Sequence, residues 1–161
     1  MHIAEFISPE RVVIRQQVGS KKRALELVSG LIAAAQPSLV ETEIFDCLVA
    51  RERLGSTGIG HGIAIPHGRL KAIDRPIGAF AVLEKGVDFD AMDGEAVDMV
   101  CALVVPAEST EEHLQILASL AALFSDAGLR ERLRRAASAE ELYTLLTGEK
   151  IATLRHAASP S

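Results

Sequence analysis

The chain has no tryptophan, one tyrosine and two cysteines among its 161 residues. Cys47 and Cys101 lie far apart inside apolar runs. Without a CxxC spacing they suggest neither zinc binding nor dithiol exchange, and the reading is a pair of buried thiols. Positive charge is also short: the formal net charge is −5, and no basic stripe is available to displace counterions from a phosphate backbone, which argues against nucleic acid as a partner. No apolar run reaches the ~18 residues that cross a bilayer, and the opening MHIAEFISPERVVIRQQ has no continuous apolar centre of a secretory signal. A cytoplasmic protein without membrane insertion is expected. Internal repeats and low-complexity blocks are missing as well.

What is present is 48% apolar residue content, enough for one packed domain at this length. After an extended piece at Arg11 to Ile14, Ser20 opens a helix carrying Ala24, Leu27, Val28 and Leu31 at helical spacing, ending before Pro37. Ser38 and Glu41 form a capping box for a second helix, with Ile44, Cys47, Leu48 and Arg51 on one face and Gly55 as its stop. IGAFAVLE and VDMVCALVVP are apolar and β-branched enough to be strands covered on both sides. Ser109 and Glu112 cap a helix with Ile116, Leu117, Leu120 and Phe124 that runs to Gly128, and Ser138 and Glu141 cap a last one ending at Gly148. The expected architecture is α/β, a single mixed sheet of four or five strands with helices on its faces. The polar remainder, residues 149–161, is expected to be a flexible tail beyond a domain of residues 1–148.

Two segments invite ligands. In KGVDFDAMDG, Asp88, Asp90 and Asp93 precede Gly94, but an EF-hand needs an acid where Met92 stands and its glycine one place earlier, so a solvated turn is the better reading. The glycine-rich GSTGIGHGIAIPHG at residues 55–68 is more informative. As a Walker loop it lacks the lysine and hydroxyl after Gly60; as a dinucleotide fingerprint it gives GxGxG and leads into a strand. Read as one strand, HGIAIPH puts His61, Ile63, Ile65 and His67 on one face, with the two imidazoles about 20 Å apart, too far to share an ion. No metal site or cofactor is expected.

Pro66 cannot donate to a sheet ladder, so it marks the strand's end and leaves His67 at the rim, with Gly68 leaving the ring open to a visitor. A neutral imidazole with one free lone pair is a nucleophile; a hydrogen-bonded surface histidine in a turn is the bland alternative. His113 lies in the first turn of its helix on the face of Ile116, Leu117 and Leu120, pointing inward where a helix N-terminus favours anions. Arg51, in the last turn of its helix beside Cys47 and Leu48, either complements the helix dipole or offers a guanidinium fork to a phosphoryl group.

The runs ARERLGSTGIGHGIAIPHGRL, LVVPAESTEEHLQILASLAALF and AASAEELYTLL closely resemble the enzyme IIA domains of the fructose and mannitol class of the bacterial phosphoenolpyruvate-dependent phosphotransferase system, above all its nitrogen-regulatory branch. The likeness spans residues 3 to 148. It implies a mixed parallel and antiparallel sheet of about five strands flanked by helices on both faces. It also implies phosphorylation of His67 on Nε2, with His113 and Arg51 stabilising the phosphoryl group, and no metal. His61 stands where Asn or another polar residue is usual, and no catalytic role is carried to it. The implied donor is an HPr-like phosphocarrier (NPr); the apolar Ile59 and Ile63 could form part of its docking surface, with core packing as the reading that comes first for both. The implied regulated partners are transporters or sensor kinases, such as potassium-transport or nitrogen-related regulators. The alternative within the class is a sugar-specific relay to a IIB domain for fructose or mannitol uptake; a chain holding only a IIA unit favours the regulatory role.

Overall fold

The computed structural model describes residues 2–148; the tail expected at 149–161 lies outside them. Two short 3-10 turns, Ile3–Glu5 and Pro9–Arg11, lead into β1 (Val12–Gln16), followed by α1 (Lys21–Ala33) and α2 (Glu41–Glu52). The glycine-rich stretch supplies β2 (Gly58–Gly60), β3 (Ile63–Ala64) and β4 (His67–Leu70), after which come β5 (Ile77–Val87) and β6 (Val97–Pro106). Three helices close the fold: α3 (Thr110–Phe124), α4 (Ala127–Arg134) and α5 (Ala139–Thr147).

The sheet runs β1-β5-β6-β3-β2, with β4 also paired to β6. β1 is parallel to β5, β5 antiparallel to β6, β3 and β4 parallel to β6, and β2 antiparallel to β3. The mixed sheet is therefore as expected, with six strands instead of four or five. β6 shows why it needs helices on both sides. Its Met99, Cys101, Leu103 and Val105 enter one core with Ile116 and Leu120 of α3, Leu133 of α4 and Leu142 of α5. Its Val100, Ala102 and Val104 enter a second core with Ala24 and Val28 of α1 and Ile44 and Leu48 of α2. Alternate residues bury on opposite faces, so the strand reads as continuously apolar.

Several local expectations are corrected. HGIAIPH is not one strand: His61 at φ 57° and Gly62 at φ 80° turn the chain between β2 and β3, and Pro66 separates β3 from β4. His67 therefore begins a strand, paired with Leu103, instead of trailing the end of one. Gly68 is small for packing, because a Cβ there would strike Cys47 Sγ of α2; it does not open the imidazole to a visitor. Cys101 is buried as expected, while Cys47 is half-buried, and burial pushes both thiols up, Cys101 to about 12.

The helix after β6 stops at Phe124 and a separate helix, α4, starts at Ala127 with Asp126 accepting from the Leu129 amide, so Gly128 lies within that helix instead of ending α3. The Ser38 box does not form; α2 starts at Glu41 with Val40 in the capping position. The Asp-rich turn does more than meet solvent: Asp93 accepts the His61 N–H at 2.9 Å, and Phe89 is fully buried.

Candidate phosphoryl-transfer site

The parallel register of β4 on β6 sets His67 opposite Leu103, three residues before the Pro106 end of β6 that leads on to α3. The ring centroids of His67 and His113 are 5.1 Å apart at an interplanar angle of 72°. His67 Nδ1 lies 2.7 Å from the Ile65 carbonyl oxygen. A carbonyl only accepts, so Nδ1 carries the hydrogen, and in the neutral ring the lone pair is on Nε2. Burial lowers the His67 pKa first, the Ile65 bond opposes that, and the nearby Arg51 charge lowers it further, with Glu52 acting the other way.

His113 is 7% exposed, and its Nε2 is the one buried side-chain nitrogen or oxygen among the described residues without a hydrogen-bond partner. Burial is the main cause that lowers its pKa to about 4, joined by His67, Arg69 and Arg51. Both rings are thus neutral at pH 7. An orphaned polar atom at a buried position is costly unless a ligand comes to satisfy it.

Arg51, near the end of α2, donates from Nη1 to the Gly55 carbonyl at 2.9 Å, so its guanidinium sits against the glycine loop as well as in the helix's last turn. A cavity of about 320 Å³ joins Arg51, Ser56 and Thr57 to His67, with Leu117, Ala118 and Ala121 of α3 as its apolar wall. A larger groove of about 730 Å³ runs between α1 and α2 behind the loop, but paired imidazoles mark chemistry better than volume does. Ile59 lines the smaller cavity at 46% exposure, whereas Ile63 is core at 1%. His61 stays outside this group; its N–H goes to Asp93 and its carbonyl accepts from Arg134.

Three residues escaped the sequence reading. Arg69 adds a second guanidinium charge felt by His113; two places on from His67 in β4, it shares that strand face, which was the available signal. Glu52 and Thr57 are both buried and bonded to one another, a contact that no local pattern announces. Among the described residues, no three His, Cys, Asp or Glu side chains converge as metal ligands, and no helix is long and apolar enough to cross a membrane. Two neutral imidazoles and two arginines make a place for a small anion with a nucleophilic nitrogen beside it.

Comparison with known proteins identifies the chain's relatives. Residues 5–148 match the family described as phosphoenolpyruvate-dependent sugar phosphotransferase system, EIIA 2. A nitrogen regulatory protein of Pseudomonas aeruginosa is 46% identical over 146 residues, covering 91% of this chain and 95% of that one. The crystal structure of nitrogen regulatory protein IIA-Ntr from Neisseria meningitidis superposes with a TM-score of 0.85 at 43% identity, over 90% of this chain and 99% of that one. IIA mannitol of Escherichia coli shares the fold, with a TM-score of 0.72 at 24% identity over 86% and 97% of the two chains.

Proposed function

This chain belongs to the EIIA 2 family of the phosphoenolpyruvate-dependent sugar phosphotransferase system, and we propose that it is a nitrogen-regulatory phosphocarrier that accepts a phosphoryl group on His67 from an HPr-like phosphohistidine donor. The observation that carries the acceptor assignment is the Ile65 carbonyl bond to His67 Nδ1. It leaves Nε2 as the free nucleophile, beside His113 and in a cavity shared with Arg51. The regulatory side of the reading draws on the named relatives at 43–46% identity. On this reading the regulated partners are transporters or sensor kinases that distinguish the free from the phosphorylated form.

In the transfer, the Nε2 lone pair forms the new N–P bond while the donor's N–P bond breaks, its electron pair staying on the donor imidazole. Arg51 and the Nε2 of His113 supply charge and a hydrogen bond to the equatorial oxygens, where negative charge is concentrated. Apolar Ile59 and the α3 wall leave the donor a dry contact around the reacting nitrogen. The decisive experiment is intact-protein mass after incubation with phosphoenolpyruvate, the first enzyme of the system and an HPr-like carrier. One acid-labile phosphoryl group is expected, absent from His67→Ala; equal labelling of that variant would refute the assignment. A sugar relay instead passes the group on, so rapid loss to a fructose or mannitol IIB domain would favour that alternative.

A further inference from the structure

We propose that Glu52 is the positioning residue of this site, setting the orientation of His67 through Thr57 and Ile65; the inference rests on the reading of His67 as acceptor. Glu52 closes α2, and its side chain is 4% exposed. A carboxylate so buried needs charge and hydrogen bonds to compensate for lost water. Lys21 Nζ supplies the charge, 2.9 Å from Oε1. Thr57 supplies both hydrogen bonds, its amide donating to Oε1 at 2.9 Å and its hydroxyl to Oε2 at 2.6 Å. An ion pair serving α2 alone would not commit both carboxylate oxygens to a residue beyond the helix.

From Thr57 the series continues. The Thr57 carbonyl accepts the Ile65 N–H at 3.0 Å, and the Ile65 carbonyl accepts the His67 Nδ1–H at 2.7 Å. Ile65 and Pro66 occupy the gap between β3 and β4. Pro66 has no N–H to donate, so the Ile65 amide is the backbone donor of this gap, and Thr57 holds it. At each intermediate residue the N–H and C=O belong to different peptide groups. The series therefore transmits position more than polarisation. The loop is fastened from its other side too: Ser56 Oγ donates to the Phe89 carbonyl at 2.6 Å, and Lys21 Nζ to the same oxygen at 3.3 Å.

Misplacing a reacting group by about 1 Å can cost on the order of 100-fold in rate, which sets the size of effect to look for. The test uses Glu52→Ala, Thr57→Val and Thr57→Ser with two readouts. One is the imidazole tautomer of His67 by nitrogen-15 NMR on the donor-free protein; the other is single-turnover transfer from the phosphorylated HPr-like carrier. Glu52→Ala and Thr57→Val are expected to mix the His67 tautomers and slow transfer about 10- to 100-fold, while Thr57→Ser, which keeps the hydroxyl, stays near wild type. A folded Glu52→Ala protein with His67 still fixed in the Nδ1–H form and transferring at the wild-type rate would overturn the proposal. If that variant does not fold, equal behaviour of Thr57→Val and Thr57→Ser overturns it. A wild-type protein that takes no phosphate on His67 defeats the acceptor reading instead, and the tautomer measurement, which needs no donor, still decides whether Glu52 positions the ring.

Discussion

At the scale of single residues, the pair His67 and His113 shows how burial prepares an imidazole to receive charge. A free histidine binds a proton near pH 6.5, whereas His113 in the folded chain does so only near pH 4, chiefly because it is desolvated. The unfolded chain therefore binds more protons across that interval, and stability falls as pH drops from about 6.5 toward about 4. His67 is lowered too and adds to the same slope. Urea midpoints measured between pH 7 and pH 4.5 should show this decline, and His113→Ala should make it shallower. An unchanged slope in that variant would mean that the ring titrates normally in the folded protein. The sequence placed His113 on the inward face of its helix, and the structure agrees. It could not reveal the unpartnered Nε2, because that depends on what α3 meets across space.

At the scale of elements, the Ser-x-x-Glu pattern occurs before three helices, and its serine side chain caps only one of them. Ser138 has φ −146° and ψ 160° and accepts the Glu141 amide; Ser109, at φ −90° and ψ 73°, caps α3 without any side-chain bond. Glu141 in turn takes the Ala137 amide instead of that of Ser138. A cap requires the residue types and an extended backbone that aims the hydroxyl down the helix, and only the first is written locally. Ser138→Ala should accordingly cost about 1 kcal/mol, and Ser109→Ala only a few tenths at most, as measured by chemical denaturation. Equal losses would show that the Ser109 hydroxyl bonds the helix in solution. The same division explains the strand misread as continuous. Alternation put Ile63 and Ile65 on one face, and both enter one core, but the turn at His61, flanked by Gly60 and Gly62 at positive φ, is held from a distance by Asp93 and Arg134.

At the scale of the whole molecule, both-face burial of β5 and β6 was legible because residues 77–83 and 99–105 are apolar without interruption, and the helical periods followed from i, i+3 and i+4 spacing. The meeting of His67 with His113 was not derivable from such periods, since it depends on β4 pairing in parallel with β6. The resemblance to a known family had to bring them together. The close approach of α2 to β4 at Gly68 and Cys47 has a consequence for how a partner would sense the site. With strand and helix in contact there, and the His67 ring tied to the backbone, a phosphoryl group arriving on His67, as proposed, would meet a closely packed support. What changes is the electric potential above it, by about one unit of negative charge while Nδ1 keeps its hydrogen, since the phosphoryl dianion is partly offset by the ring cation. Backbone amide shifts on phosphorylation should therefore cluster around residues 51–69 and the start of α3; changes reaching α4 and α5 would indicate a conformational signal instead. On the proposed reading, the protein works as a one-bit memory, written by a covalent bond and read by Coulomb's law at a partner's surface.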